Sequence, residues 1–197
     1  MNKKLLAFIV ITTITVCLVV VFILVPMGNS KGNVIDAGKN FKVYDVTKNN
    51  QPEYRYEIYN NTGVTVKNET VWKSYPNIAY INDNNLLSIY IGVGAGTFLV
   101  QYYDIEKDLF SKTFESPAIA EYGKIVYMVL LDDQIKLAVS DIFDSAEYYK
   151  EFELDFSPVA NPIDALKEVK FVDEFNLQVL YLSGNDYEEK TVNLTLG

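Results

Sequence analysis

Histidine does not occur anywhere in the 197 residues, and cysteine occurs once, at Cys17. The first gap removes the commonest general base together with the commonest nitrogen ligand for metals. The second rules out intrachain disulfides and Cys-rich zinc sites. Because Cys17 lies inside an uncharged hydrophobic stretch, thiol catalysis by the remainder is excluded as well. Arginine also occurs once, at Arg55, and 26 Asp and Glu stand against 17 Lys and Arg for a net charge of −9. With no basic cluster to displace counterions from a phosphate backbone, nucleic acid is not expected as a partner. Serine chemistry fares no better: a Ser-His-Asp triad is impossible, and neither Ser-x-x-Lys nor Gly-x-Ser-x-Gly is present.

One long hydrophobic stretch does occur. Leu5 to Val25 carries no charge, and as a helix it would reach about 31 Å, enough for a hydrocarbon core of roughly 30 Å. Lys3 and Lys4 precede it, so residues 1–4 are expected to be cytoplasmic, 5–25 to be inserted in the cytoplasmic membrane, and everything after Pro26 to be extracytoplasmic. The alternative is secretion after cleavage near Ser30, where Gly28 and Ser30 are small; the hydrophobic run is long for a signal peptide. Residues 26–40, rich in Gly, Asn and Lys, read as a linker, and 41–197 as the extracytoplasmic domain.

Within that domain apolar residues recur at period two. Tyr54, Tyr56 and Ile58 oppose Arg55 and Glu57; Val64 and Val66 oppose Thr65 and Lys67; Val192, Leu194 and Leu196 oppose Thr191, Asn193 and Thr195. This is the pattern of half-buried strands. Turn clusters separate them, among them Asn60-Asn61-Thr62-Gly63 and Ser183-Gly184-Asn185-Asp186. Leu86 to Ile91 and Ile125 to Leu131 are nearly continuous apolar runs, which predicts burial on both faces and sheets stacked on sheets.

A period of about 41 residues runs through the domain. Pro76, Pro117 and Pro158 keep it, Glu115-Ser116-Pro117-Ala118 echoes Phe156-Ser157-Pro158-Val159, Asp104-Ile105 echoes Asp141-Ile142, and Lys112-x-Phe114 echoes Lys150-x-Phe152. Four units fit between Ile35 and the C-terminus, the middle ones with four strands and the first and last with about three clear strands each. In the second unit the strands are expected at Ile78 to Ile81, Leu86 to Ile91, Phe98 to Ile105 and Leu109 to Phe114. Four-stranded units of this length resemble β-propeller blades, although the Trp-Asp and Gly-His signatures of the WD40 family do not occur. The fold class is therefore all-β, propeller-like in four repeats after one N-terminal transmembrane helix, with a two-sheet β-sandwich as the alternative. A short helix is a further expectation over Pro162 to Lys170, with Asn161 as its cap.

No catalytic, cofactor-binding or metal-binding residue is singled out. Gly92-Val93-Gly94-Ala95-Gly96-Thr97 precedes a strand rather than a helix, so it reads as a hairpin and not a phosphate loop. Asp132-Asp133 and Asp141, Asp144 and Glu147 lack the regular calcium-loop pattern and read as turn acids. Tyr102-Tyr103 and Tyr148-Tyr149 each send one ring to either face of a strand, which predicts one exposed ring per pair.

The expected function is a membrane-anchored, non-catalytic binding or scaffold module without cofactor, contacting a protein or cell-wall component through loops or exposed tyrosines. Two alternatives are a carboxylate-dependent glycan hydrolase, since Asp and Glu are the acid and base groups left in quantity, and a subunit of a membrane complex. Richness in Lys, Asn, Ile and Tyr with little Arg, together with this layout, resembles extracytoplasmic proteins of low-GC Gram-positive bacteria.

Overall fold

The computed structural model describes residues 32–81, 85–131 and 134–197. The expectations for residues 1–4, the span 5–25, Cys17, a cut near Ser30 and the Asp132-Asp133 pair lie outside these residues. Among the described residues no helix is long and apolar enough to cross a membrane. Residues Val34–Gly197 form one compact unit.

The unit is all-β and contains four separate antiparallel sheets, none of them closed. The first holds β1 (Asn33–Ala37), β2 (Phe41–Asp45), β3 (Glu53–Tyr59) and β4 (Thr65–Trp72). The second holds β5 (Asn77–Ile81), β6 (Leu86–Gly94), β7 (Thr97–Asp104) and β8 (Leu109–Glu115). The third holds β9 (Ile119–Glu121), β10 (Lys124–Leu131), β11 (Gln134–Asp141) and β12 (Tyr149–Phe152). The fourth has three strands, β13 (Leu166–Asp173), β14 (Asn176–Ser183) and β15 (Glu188–Thr195). In every sheet the strands lie side by side in chain order, so each repeat of the sequence is one meander. The strands of the second unit fall where the alternation puts them.

Four sheets rather than two correct the sandwich alternative. The first unit also has four strands, not three, because β1 lies within the stretch read as linker. Asn40, at the end of that stretch, is buried; its Nδ2 donates to the Tyr59 carbonyl at 3.0 Å and its backbone N–H to Tyr80 Oη at 2.9 Å. The helix expected over Pro162 to Lys170 does not form. A single 3-10 turn, Pro162–Ala165, has no side-chain cap from Asn161, and at Leu166 the backbone becomes extended and starts β13. Val169 and Phe171 alternate, a register shift between Leu166 and Glu168 brings Leu166 to the same core, and pairing with β14 overrides the local helix-start signal.

The two apolar runs explain the stacking. On β6, Leu87 and Ile89 face a core with Phe41, Val43, Tyr56 and Ile58 of the first sheet, while Leu86 faces the opposite way into a core with Ile125, Tyr127 and Ala138 of the third. On β10, Ile125 and Tyr127 face the second sheet, and Val126 joins Leu137, Val139, Phe171, Leu177 and Val179 in a core with the fourth. Three cores thus join sheets one to two, two to three and three to four. Among the described residues no buried cluster joins the first sheet to the fourth. The remaining face of the fourth sheet is mixed: Asn176, Gln178, Thr191, Asn193 and Thr195 share it with the partly buried Leu180 and Leu182. On the fourth sheet, Gln178 Nε2 donates to Asn193 Oδ1 at 3.1 Å and Thr195 Oγ1 to Asn176 Oδ1 at 3.4 Å.

Chain reversals alternate between two ends of the stack. β1 and β3, and the odd-numbered strands of the later sheets, run towards what we call the upper end. There, Asn61 Nδ2 donates to the Ile105 carbonyl at 3.2 Å, and Lys124 Nζ to the Glu174 carbonyl at 3.3 Å, tying loops of adjacent sheets together.

Candidate functional site

The glycine-rich stretch is a hairpin, as its context predicts. Gly94, Ala95 and Gly96 all have positive φ, at 99°, 51° and 76°, between β6 and β7. Asp141, Asp144 and Glu147 lie with Asp104, Glu106 and Lys107 along an upper-end groove of about 490 Å³ between the second and third sheets. Three of these acids close turns, Asp144 among them, whose Oδ1 accepts the Ala146 N–H at 2.8 Å. Asp104 Oδ1 accepts the N–H groups of Glu106 and Lys107 at 3.0 and 2.9 Å, and Asp141 Oδ1 accepts those of Phe143 and Asp144, both at 2.8 Å. The echo of Asp-Ile in the sequence is therefore a repeated turn, with Ile105 and Ile142 buried beside it.

The expectation for Tyr102-Tyr103 is corrected. The two rings point to opposite faces, but both faces are covered, so Tyr102 enters the core with the third sheet and Tyr103 the core with the first. At Tyr148-Tyr149 the expectation holds: Tyr149 is exposed, and Tyr148 is half-buried with its hydroxyl donating to the Leu196 carbonyl at 2.9 Å. Val64, placed on a strand by the alternation, is an exposed turn residue before β4.

A different surface collects the chain's scarcest side chains. Because Phe41, Val43, Tyr56 and Ile58 point into the core, the intervening residues of β2 and β3 point to the outer face of the first sheet. Register then fixes their neighbours. Arg55 lies between Tyr44 on β2 and Thr70 on β4, Glu57 lies between Lys42 and Asn68, and Glu53 lies beside Trp72. The only arginine and the only tryptophan of the chain therefore share one sheet face with Tyr44 and Tyr59. Trp72 is 60% exposed, and Lys42, Asn68 and Thr70 are exposed beside it.

Glu57 is the hub of this face. Tyr44 Oη donates to its Oε2 at 2.8 Å, Tyr59 Oη donates to the same oxygen, and Asn68 Nδ2 lies 3.5 Å from Oε1. Arg55 Nε is 3.8 Å from Oε1, and the Arg55 guanidinium lies over the Tyr44 ring at 4.3 Å from its centre. Lys42 Nζ lies 5.6 Å from the centre of the Tyr59 ring, and Lys73 Nζ 5.3 Å from that of Trp72. Partial burial acts to raise the Glu57 pKa, but the hydroxyls of Tyr59 and Tyr44 and the charges of Arg55 and Lys42 outweigh it, and the carboxyl is held below its ordinary range. Burial, together with the same contact, pushes the Tyr59 phenol up.

Chemically, the arrangement is a preorganised cluster of charged, amide and aromatic hydroxyl groups. A fixed carboxylate tethers two aromatic hydroxyls and a guanidinium, so little rotamer freedom remains to be lost on binding. Among the described residues, the other carboxylates held away from their ordinary range, Asp45, Glu69, Glu151 and Asp173, are also held below it. A general acid for glycoside cleavage needs a shift in the opposite direction. The sequence names Arg55 and Glu57 as outward-facing but does not single out Trp72, Tyr44 or Lys42. The signal was in the alternation, and cross-strand register, which brings them together, is a property of the sheet. No protein-family model matches the chain, and no curated protein sequence matches it either.

Proposed function

We propose that the chain is a non-catalytic binding or scaffold module of propeller-like blades, held outside the cytoplasmic membrane by its N-terminal segment. Its outer first-sheet face contacts a partner protein. The observation that carries this reading is the co-location of Trp72, Arg55, Tyr44 and Tyr59 on one face that, among the described residues, no other sheet covers with a buried core. Trp, Tyr and Arg are the residue types that dominate binding energy at protein interfaces, because they offer large, stiff, amphipathic contact area. A terminal sheet needs only a mostly polar outer face to be soluble, and on the fourth sheet threonine, asparagine and glutamine serve that end beside the aliphatic Leu180 and Leu182. The aromatic and guanidinium groups of the first sheet go beyond that need. Location outside the membrane rests on the hydrophobic stretch Leu5 to Val25 and the lysines before it.

A photoreactive residue placed at Thr70 in the full chain, irradiated in intact cells, tests this reading. Support consists of a discrete protein adduct that is lost when Trp72→Ala and Arg55→Ala are added and is not formed from the same group at Gln178. An adduct that disappears on digesting the cell wall identifies a glycan instead, and equal adducts from both positions contradict the proposed face.

A further inference from the structure

Three sheets have four strands, and in each the fourth pairs antiparallel with the third: β4 with β3, β8 with β7, and β12 with β11. Among the described residues the fourth sheet has three strands. Among the described residues no strand pairs with the outer edge of β15. An unpaired edge presents a row of backbone N–H and C=O groups, which proteins usually protect with charge. β15 is protected over only part of its length: Glu188, Glu189 and Lys190 are charged, whereas Thr191-Val192-Asn193-Leu194-Thr195 is uncharged, β-branched at three positions and alternating.

The repeat supplies a template for what fits there. At the upper end Lys124 pairs with Asp141 in the third sheet and Asn176 with Thr195 in the fourth, so the two hairpins superpose by register. β12 occupies the edge of β11 over Leu137, Ala138, Val139 and Ser140. Counting back from the matched pairs, those positions correspond to Thr191, Val192, Asn193 and Leu194, the uncharged part of the edge. The second sheet gives the same answer. There Leu86 pairs with Asp104, and β8 pairs Phe114 with Val100 and Glu115 with Leu99. On β15 those partners become Thr191 and Lys190, so a strand like β8 would place its phenylalanine opposite Thr191 and its glutamate opposite Lys190.

We infer that the outer edge of β15 accepts a short extended strand from a separate protein chain, antiparallel over Thr191 to Leu194, completing the fourth sheet in trans. This goes beyond the proposed face on the first sheet and uses a different part of the unit. Backbone hydrogen bonds supply the affinity of such strand addition, and the alternate side chains supply its selectivity. The strand it takes has the chemistry of the chain's own fourth strands: four to eight residues with at least one aromatic side chain, a lysine and a glutamate, the glutamate meeting Lys190.

The test uses the full chain in detergent micelles and a capped synthetic peptide with the sequence of Leu109 to Glu115. Hydrogen–deuterium exchange with and without the peptide is followed by mass spectrometry. Saturable binding with slowed exchange confined to the β15 amides is expected, and the same peptide N-methylated at alternate residues should bind at least tenfold more weakly. The inference is overturned by any of four results: no binding, equal binding of the N-methylated peptide, protection mapping to β1 or β4, or β15 protection that rises with the chain's own concentration. The last result would identify a second copy as the occupant.

Discussion

Lys112 Nζ on β8 lies 3.3 Å from Tyr127 Oη on β10, so the fourth strand of one sheet is bonded to a strand of the next. The same device appears at the other two junctions. Lys67 Nζ on β4 meets Gln101 Oε1 on β7 at 2.7 Å, and Lys150 Nζ on β12 meets the Thr195 carbonyl of β15 at 2.9 Å. Each lysine also lies over a neighbouring aromatic ring, Phe110 for Lys67, Phe114 for Lys112 and Phe152 for Lys150. The Lys-x-Phe echo in the sequence is thus a repeated clamp between sheets.

Replacing Lys112 by Met keeps the apolar stem and removes the ammonium. We expect a loss of about 0.5–1.5 kcal/mol, the net worth of one hydrogen bond with a modest cation–π contribution, read from the urea midpoint. An unchanged midpoint would show that the clamp is incidental.

Leu137 is fully buried between the third and fourth sheets. Leu137→Ala should cost about 2–5 kcal/mol through lost burial and an unfilled cavity. If the sheets form one cooperative stack, fluorescence and circular dichroism will shift together in denaturant. Separate transitions would show that the fourth sheet unfolds alone.

Stability should fall at both ends of the pH scale for different reasons. The Glu57 carboxyl is held below its ordinary range, so its contribution is complete above the unfolded carboxylate value and is lost as pH falls through the lower folded one. Glu57→Gln should therefore flatten the acid limb of the urea midpoint below about pH 4.5. Burial pushes the Tyr102 phenol up to about 12, so its contribution is complete below the unfolded tyrosine value, near 10, and is lost as pH rises towards the folded one. Tyr102→Phe should flatten the alkaline limb, provided the ring's packing is kept. Limbs unaltered by either substitution would locate the titrating groups elsewhere.

Much of this fold was legible from local pattern. Period two placed the strands, and the 41-residue echo divided them into meanders. The runs Leu86 to Ile91 and Ile125 to Leu131 announced burial on both faces because no polar residue interrupts the alternation enough to face water. What escaped were properties held by more than one segment. Asn161-Pro162 carries a sound helix-start signal, yet pairing of Leu166 onward with β14 overrides it after a single turn. Tyr102 and Tyr103 obey the alternation, but whether a face is wet depends on a neighbouring sheet far along the chain. The candidate face is a third case: Tyr44, Arg55 and Trp72 come from three strands, and only register makes them neighbours.

Trp72 is the only tryptophan in the chain, so its fluorescence reports on the outer face of the first sheet without labelling. The emission of the full chain should be red-shifted, like indole in water, and freely quenched by acrylamide, with both effects reversed when the partner binds. A blue-shifted, quencher-protected tryptophan in the isolated chain would mean that this face is already covered, and it would contradict its assignment as the binding surface.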